Sequence, residues 1–429
     1  QGKKIMQSDT QQYLAMSRQL QDNRIDKDEE LYWIDNAYCG MPTYQLGAKY
    51  PYDVLTPIHK LFKFLPHPSY MIFIYLLGFY FFILSLGFKN KFAFFGAICY
   101  GLSTYLLIII QVGHNTKATA LGYLPMVFAS LNYIFKNKSI WSVIILSLFI
   151  GLQIRANHYQ ISYYMFILMG IFLVSKFFED MKARRLKSFG FKSFKVIVSI
   201  LIALGLNATS LFSTYEYSKY STRGKSDITI DERGKLVEIT DGLSYDYITQ
   251  FSMGIFESLN IFIPRINGGS STENLGVDSK FYNDIRNFGL SPTQSASFSS
   301  NVPTYWGDQP ILEAPPYVGI TVIFLSIVTI FFSSIQKRYI WIYVGILVSL
   351  LLSWGKNFEF LTKIFIEYFP FYNKFRAVSS IQVILEFCFP ILATIGFYAF
   401  FELPRNKTLP ALVKSYLSFL FILILIYFS

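Results

Sequence analysis

Apolar and polar positions follow one another in long blocks along this chain. Most of the apolar stretches are about 17 to 22 residues long, which is the length a helix needs to cross a bilayer core. Inside a membrane the backbone polar groups of each segment must pair within that segment, which favours helices. The pattern predicts an all-α polytopic integral membrane protein with about ten transmembrane helices. We place them at residues 69–86, 92–110, 118–135, 140–152, 159–178, 194–212, 317–334, 339–353, 381–401 and 411–428.

The loops between these stretches are of two kinds, which alternate. One kind is short and basic, and because positive charge is retained on the cytoplasmic side, we expect these loops to lie inside. The other kind is longer, carries every histidine and is therefore predicted to be extracytoplasmic. The basic loops contain Lys89, Lys91, Lys136, Lys138, Lys182, Arg184, Arg185, Lys195, Lys337, Arg338, Arg405, Lys407 and Lys414.

This alternation divides the chain into four parts. Residues 1–68 form a first extracytoplasmic segment with interfacial helices, 69–212 and 316–429 are transmembrane, and 213–315 form a large extracytoplasmic loop. Within that loop we expect an ordered first part followed by a mobile Gly/Ser-rich section. The chain begins without Met and ends inside an apolar run, so we expect it to be part of a longer protein with at least one further helix upstream.

The formal net charge of +11 does not indicate nucleic-acid binding, because the excess cations lie mainly in the inner loops, where they set topology and meet anionic lipid. The three cysteines do not form a disulfide framework. No spacing of Cys and His is typical of a metal site, so neither a cofactor nor a divalent metal is predicted from these residues.

Asp9 is a candidate for catalysis. It lies where a first outer helix is predicted to begin, and an acid in a first turn complements the helix dipole without any catalytic role. The alternative is a general base just above the bilayer, where an acceptor hydroxyl meets a lipid-borne donor.

Cations in the outer loops run against the usual charge asymmetry. Each alone is explained by snorkelling at a helix end, but their presence in nearly every outer loop favours one shared anionic ligand. Phosphate suits them, because Arg forms forked hydrogen bonds and Lys supplies a point charge. The candidate phosphate-binding residues are His114, Lys117, Arg155, His158, Arg223 and Arg376.

Glu386 lies inside the ninth predicted span, at a depth where an acid is costly and usually faces a partner. Lys374 and Arg376 are the expected partners. A structural ion pair and a site residue are both open interpretations.

Five short motifs together resemble the YfhO-like bacterial membrane proteins, and the resemblance covers nearly the whole chain. They are Ser8-Asp9, Trp33 with the run from Gly40 to Gln45, the run from Gly113 to Ala118, the run from Asn157 to Ile161, and the run from Pro370 to Arg376. That family looks like a branch of the GT-C glycosyltransferases, which take sugars from polyprenyl-phosphate donors on the outer leaflet. The resemblance implies that Asp9 is the acid of the first outer loop. No second acid accompanies it, so a metal site is not supported.

Together, these expectations predict an inverting glycosyltransferase of the bacterial inner membrane. It would move a sugar from a polyprenyl-phosphate donor to a polymer or lipid acceptor of the cell envelope, with no nucleic-acid partner. The alternative is a non-enzymatic transporter or flippase of lipid-linked sugar or envelope polymer, which should carry ionisable residues across the midplane. An envelope scaffold is a third interpretation, but it leaves the outer cations unexplained.

Overall fold

The computed structural model describes residues 5–225, 230, 234–235 and 241–428. Helices dominate this part of the chain. Its regular strands are two short ones, β1 (Trp33–Ile34) and β2 (Met41–Pro42), which pair antiparallel with Trp33 opposite Pro42. The first segment also contains α1 (Ser8–Met16), α2 (Arg18–Asp26) and α3 (Leu55–Leu61).

The remaining helices follow in chain order. The first membrane part contains α4 (Ser69–Leu86), α5 (Asn90–Gly101), α6 (Thr104–Val112), α7 (Asn115–Lys136), α8 (Trp141–Arg155), α9 (Tyr159–Lys182) and α10 (Leu186–Leu206). Helix α11 (Ala208–Ser218) leads into the large loop. The loop itself contains α12 (Tyr245–Thr249), a 3₁₀ helix at Phe256–Ile261, α13 (Lys280–Asn287) and α14 (Pro292–Ser299). The last part contains α15 (Ile320–Ile330), α16 (Ser333–Arg338), α17 (Ile340–Ser353), α18 (Glu359–Tyr368), α19 (Val383–Glu402), α20 (Arg405–Phe428) and 3₁₀ turns at Gly355–Phe358, Tyr372–Lys374 and Val378–Gln382.

Six helices of the described chain are long and apolar enough to cross a membrane, judged by length and composition. Two further helix pairs pass the same test together, α5 with α6 and α17 with the segment from Gly355 to Tyr368, but they are bent by 46° and 111°. Helices α8 and α15 are apolar but shorter. The structure thus confirms an all-α protein with six to eight membrane-length helices and does not confirm about ten spans.

Helices α7 and α19 form the centre of the bundle. In their most apolar windows 83% and 78% of residues are buried, against 22% in α10 and 17% in the last helix. Aromatic rings join the two, since Phe128 on α7 lies 5.2 Å from Phe387 on α19 and stacks on Trp341 of α17 at 5.7 Å. Because lipid tails are as apolar as these side chains, close packing holds such helices together rather than a transfer from water.

The basic loops meet at one end of the bundle, which we call the basic face and define by residues 85–91, 132–139, 176–195, 334–341 and 402–407. Lys91 pairs with Glu402 at 2.9 Å, and Lys195 donates to the Lys138 carbonyl oxygen at 2.8 Å. We define the histidine face by residues 7–10, 53–67, 113–117, 155–160 and 373–382. It carries all four histidines of the chain.

The Gly/Ser-rich section of the large loop is pinned by hydrogen bonds, unlike the mobile section expected from its composition. The Ser271 amide donates to the Leu312 carbonyl at 2.8 Å, and the Thr304 amide donates to the Ser270 carbonyl at 3.0 Å. Gly268 has a φ of +83°, and a Cβ there would lie 1.8 Å from the Thr304 carbonyl oxygen. Glycine therefore allows two backbone segments to touch.

Candidate functional site

The loop before α7 brings the start of α1 onto the membrane bundle. Gly113 has a φ of +95°, and a Cβ there would lie 2.8 Å from Cβ of Gln7 and 3.1 Å from Oγ1 of Thr10. The side chain of Gln7 donates to the Ile110 carbonyl oxygen at 2.5 Å. Asn115 Nδ2 donates to Thr10 Oγ1 at 3.1 Å. These contacts seat α1 directly over the loop.

Asp9 lies in the first turn of α1, where its carboxylate complements the helix dipole, as one of its two interpretations required. It also contacts a histidine. Its Oδ2 is 2.8 Å from Nε2 of His114, and the two side chains are 42% and 44% exposed. Partial burial and the charge of Lys117 lower the pKa of His114, and these effects outweigh the opposing effect of Asp9. At neutral pH the imidazole is therefore uncharged, and since a carboxylate only accepts, Nε2 carries the proton. Nδ1 is left as a basic nitrogen.

Lys117 is only 7% exposed, although it lies in the first turn of α7. Its Nζ donates a long hydrogen bond of 3.5 Å to Ser380 Oγ and lies 5.2 Å from the centre of the Tyr105 ring. No carboxylate of the described residues lies within ion-pair distance. The positive end of the α7 dipole adds to its electrostatic cost, so the structure leaves this cation without a neutralising charge.

His158, just before α9, completes this group. Burial, with the positive charge of Lys117, lowers the pKa of His158 to about 3, so its ring is neutral. Two amide oxygens of the same loops, Asn115 Oδ1 and Asn157 Oδ1, are buried and accept no hydrogen bond from any described residue. Buried polar atoms are nearly always paired. The group therefore has both a spare positive charge and unmet polar atoms.

Sequence reasoning did not single out Gln7, Thr10, His67 or Ser380, which complete the contacts of this site. His67 Nε2 lies 3.1 Å from Gln7 Oε1, which also accepts from Thr10 Oγ1 at 2.9 Å. Apart from the contact between Gln7 and Thr10, their partners lie far away along the chain, and no local pattern marks them. The one available signal was that every histidine falls on the predicted outer side.

Arg155 belongs to a second cluster. Its Nε lies 3.2 Å from Asp53 Oδ2 and 2.9 Å from Thr56 Oγ1. Asp53 in turn accepts from the Leu55 and Thr56 amides, both at 3.0 Å, at the start of α3. Burial would raise the pKa of Asp53, but the Thr56 hydrogen bonds and Arg155 outweigh it and lower the pKa. Arg155 therefore anchors α3 to the end of α8.

Arg223 and Arg376 lie in a third, more exposed group. Arg223 Nε donates to the Lys374 carbonyl oxygen at 2.9 Å, and Lys374 Nζ pairs with Asp241 at 2.6 Å. Arg376 donates to the hydroxyl of Tyr247 at 2.7 Å. These residues fasten the large loop to the segment before α19. Of the six predicted phosphate-binding residues, the structure brings together His114, Lys117 and His158.

Glu386 is buried, at 2% exposure, and accepts a hydrogen bond from Ser103 Oγ at 2.9 Å. Its predicted ion pair with Lys374 or Arg376 is not formed, and it has no ion pair with any described residue. Ser103 lies at the bend between α5 and α6, so the contact holds the broken helix against α19.

An apolar cavity of about 220 Å³ lies beside the histidine face, between α3, α4, α7 and α8. Phe81 on its wall is 51% exposed, so the cavity is at the bundle surface. Phe62 connects it to the histidine face, because its ring packs edge-on against Tyr123, 5.8 Å away, and Tyr123 contacts His59. The remaining lining residues are Leu77, Met126, Ala129 and Phe149.

Across the described residues, no group of three or more His, Cys, Asp or Glu side chains is arranged to hold a metal ion. Comparison of the chain with protein-family models, with curated proteins and with solved structures gives no match. The resemblance to YfhO-like proteins accordingly stays a prediction from the motifs.

Proposed function

We propose that this protein is a membrane glycosyltransferase of the GT-C type, which moves a sugar from a polyprenyl-phosphate donor to a cell-envelope acceptor on the extracytoplasmic face. The histidine face would be that outer face, because the basic loops lie at the opposite end of the bundle. In this proposal the protein is a multi-pass protein of the bacterial inner membrane.

The buried charge of Lys117 is the observation that carries the proposal. An amine removed from water either loses its proton or finds an anion, and an uncompensated buried charge costs several kcal/mol. A lipid phosphate beside Nζ would supply the anion, and Asn115 and Asn157 would contribute to orientation of the bound sugar. The same charge would stabilise the phosphate as it leaves the sugar.

The lipid part of the donor has a suitable surface nearby. The apolar cavity of about 220 Å³ lies below the histidine face at the bundle surface, where an isoprenoid chain would enter from the membrane. Phe62 on the cavity wall packs against Tyr123, which contacts His59 on the histidine face. A phosphate with a long apolar tail would fit both environments together.

Asp9 and His114 supply the proton acceptor in this proposal. The carboxylate holds the imidazole by its Nε2–H, and the pair takes the proton of the acceptor hydroxyl as that oxygen attacks the anomeric carbon. The bond to the phosphate oxygen breaks on the opposite side, so configuration inverts. Phosphate is a good leaving group and requires charge stabilisation more than a general acid.

The large outer loop would exclude water from this reaction, which otherwise hydrolyses the donor. It is joined to the site through the segment before α19. Ser379 donates to Gln309 of the loop at 3.1 Å, and the adjacent Ser380 holds Lys117. Movement of the loop would thereby be coupled to the position of Lys117.

Two substitutions separate proton acceptance by the Asp9–His114 pair from phosphate binding by Lys117. Asp9→Asn keeps the shape of the side chain but weakens the proton acceptor, so we expect sugar transfer to fall by roughly 10² or more while polyprenyl-phosphate binding is kept. Lys117→Met removes the charge, so binding of polyprenyl phosphate should weaken by about 1.5–3 kcal/mol. Transfer is measured in proteoliposomes with labelled polyprenyl-phosphate sugars and envelope polymer, and binding with polyprenyl phosphate alone.

Asp22→Asn and Lys60→Met are the matched controls, since both residues are exposed near the same face and belong to neither role. Both controls should leave transfer and binding unchanged. Full transfer activity in Asp9→Asn would refute the proposed role of the Asp9–His114 pair as proton acceptor. If label crosses the bilayer without transfer, equally in wild type and Asp9→Asn, the protein is a lipid transporter instead.

A further inference from the structure

A second cavity, of about 580 Å³, lies at the basic face, at the opposite end of the bundle from the proposed sugar site. Its floor is apolar, with Leu86, Phe172 and Trp341 all buried. Its rim includes six cationic side chains and two carboxylates, which leaves an excess of four positive charges. A cavity with an apolar floor and a cationic rim matches an amphipathic anion.

Three of the six rim cations pair with the two carboxylates. Asp180 is 4% exposed and pairs with Arg185 at 2.9 Å and with Lys192 at 3.6 Å. Glu179 pairs with Lys176 at 2.6 Å. These pairs fix one wall of the cavity and account for its carboxylates.

The other three cations, Lys136, Lys337 and Arg338, have no carboxylate partner among the described residues. Lys136 Nζ donates to the Ser85 carbonyl oxygen at 2.5 Å and is close enough to Arg338 and Lys176 for their like charges to interact. The guanidinium of Arg338 lies 5.4 Å from the centre of the Tyr339 ring. Like charges held together around one cavity are destabilising unless an anion is bound between them.

We propose that this cavity binds the phosphate group of an anionic lipid. Arg338 has the forked donors that match phosphate oxygens, and Lys136 and Lys337 add point charges. The floor of Leu86, Phe172 and Trp341 would contact the first carbons of the lipid tails, which favours a lipid over a soluble phosphate. This inference does not depend on the proposed sugar transfer.

The test uses the full chain in zwitterionic detergent, with short-chain phosphatidylglycerol, short-chain phosphatidylcholine and inorganic phosphate as separate probes. Wild type should bind phosphatidylglycerol saturably and more tightly than either other probe. The double variant Lys337→Gln/Arg338→Gln should weaken that binding by about tenfold or more, because charge-assisted contacts are lost. Native mass spectrometry counts the retained lipid, and a thermal-shift titration gives the affinity.

The matched control is Arg405→Gln/Lys407→Gln, which removes the same two charge types from the same face, outside the cavity. It should bind phosphatidylglycerol as wild type does. An equal loss of phosphatidylglycerol binding in both double variants would mean that the lipid is attracted by the general positive charge of the surface, and this would overturn the proposed site. Preference for inorganic phosphate over phosphatidylglycerol would overturn the assignment to a lipid. An unchanged affinity in Lys337→Gln/Arg338→Gln would exclude these residues as its ligands.

Discussion

His59 shows how strongly burial changes a single residue on the histidine face. It is 6% exposed, and its Nδ1 lies 2.6 Å from the Tyr123 hydroxyl. Burial, together with the charges of Lys63 and Arg155, lowers the pKa of His59 to about 3. The ring is therefore neutral in the folded protein throughout the physiological range.

This lowered pKa predicts that acid destabilises the fold. Between pH 6.5 and 3 the unfolded histidine binds a proton that the folded one does not, so stability decreases as pH falls, by up to about 1.4 kcal/mol per pH unit. Above pH 6.5 the contribution is constant. We expect the melting temperature in detergent to drop between pH 7.5 and 5.0 by more in wild type than in His59→Asn. Tyr123→Phe is the control, since it removes the hydrogen bond but should keep the pH dependence.

At the residue scale, the sequence identified some site members but few of their partners. Asp9 was a candidate because it lies at the start of the first outer segment, and His114 and Lys117 were candidates because cations in outer loops run against the usual charge asymmetry. The contact between Asp9 and His114 joins residues far apart in the chain, and no local pattern encodes it. For the same reason Arg155, Arg223 and Arg376 looked equivalent to Lys117, although each has a structural partner of its own.

At the scale of elements, hydropathy predicted where the helices lie better than where a helix is broken. The predicted span 69–86 coincides with α4, whose end is set by Gly87 in the left-handed region at a φ of +98°. The predicted span 92–110 is instead two helices bent at 46°. The residues on both sides of the bend are apolar, so hydropathy does not reveal the break at Ser103, whose side chain donates to Glu386. Likewise, α15 begins later than predicted because Gly319, at a φ of +108°, precedes its first turn. It also ends earlier, at Ile330, before the extended Phe332 that precedes α16.

Gly113 controls how α1 meets α7. Alanine there should be destabilising by about 1–3 kcal/mol through its positive φ and should also push Gln7 and Thr10 away. Gly87→Ala is the matched control, because its φ of +98° imposes similar strain while the nearest atom, Lys136 Nζ, lies 4.0 Å from the added carbon. We expect both variants to lose stability but only Gly113→Ala to separate α1 from the loop.

Cross-linking measures that separation. In a chain whose three cysteines are replaced by serine, the pair Thr10→Cys and Asn115→Cys should form a disulfide, since these side chains touch at 3.1 Å. Adding Gly113→Ala should reduce the yield several-fold, whereas adding Gly87→Ala should not. Equal disulfide yields in the parent pair and in its Gly113→Ala and Gly87→Ala versions would show that the absence of a Cβ at Gly113 is not what places α1 against the loop.

At the scale of the whole molecule, two polar ends are separated by an aromatic centre. Phe79, Phe82, Phe128 and Phe387 pack with centroid distances between 5.2 and 6.4 Å, and Trp341 stacks on the same cluster. A transporter of charged lipid would require ionisable groups through this centre. Among the described residues beside this centre, Glu386 accepts a hydrogen bond from Ser103, which holds the bend between α5 and α6 against α19.

The orientation of the two faces rests on the charge of the loops and is open to direct test. Lys187 and Asn274 are both exposed and are separated by one membrane-length helix, α10. In the cysteine-free chain, Lys187→Cys should react with an impermeant maleimide only from the cytoplasmic side and Asn274→Cys only from outside. Lys407→Cys, on the basic face, should behave like Lys187→Cys. Labelling of all three from one side would overturn the topology and, with it, the proposal that Asp9 acts on an outer-leaflet donor.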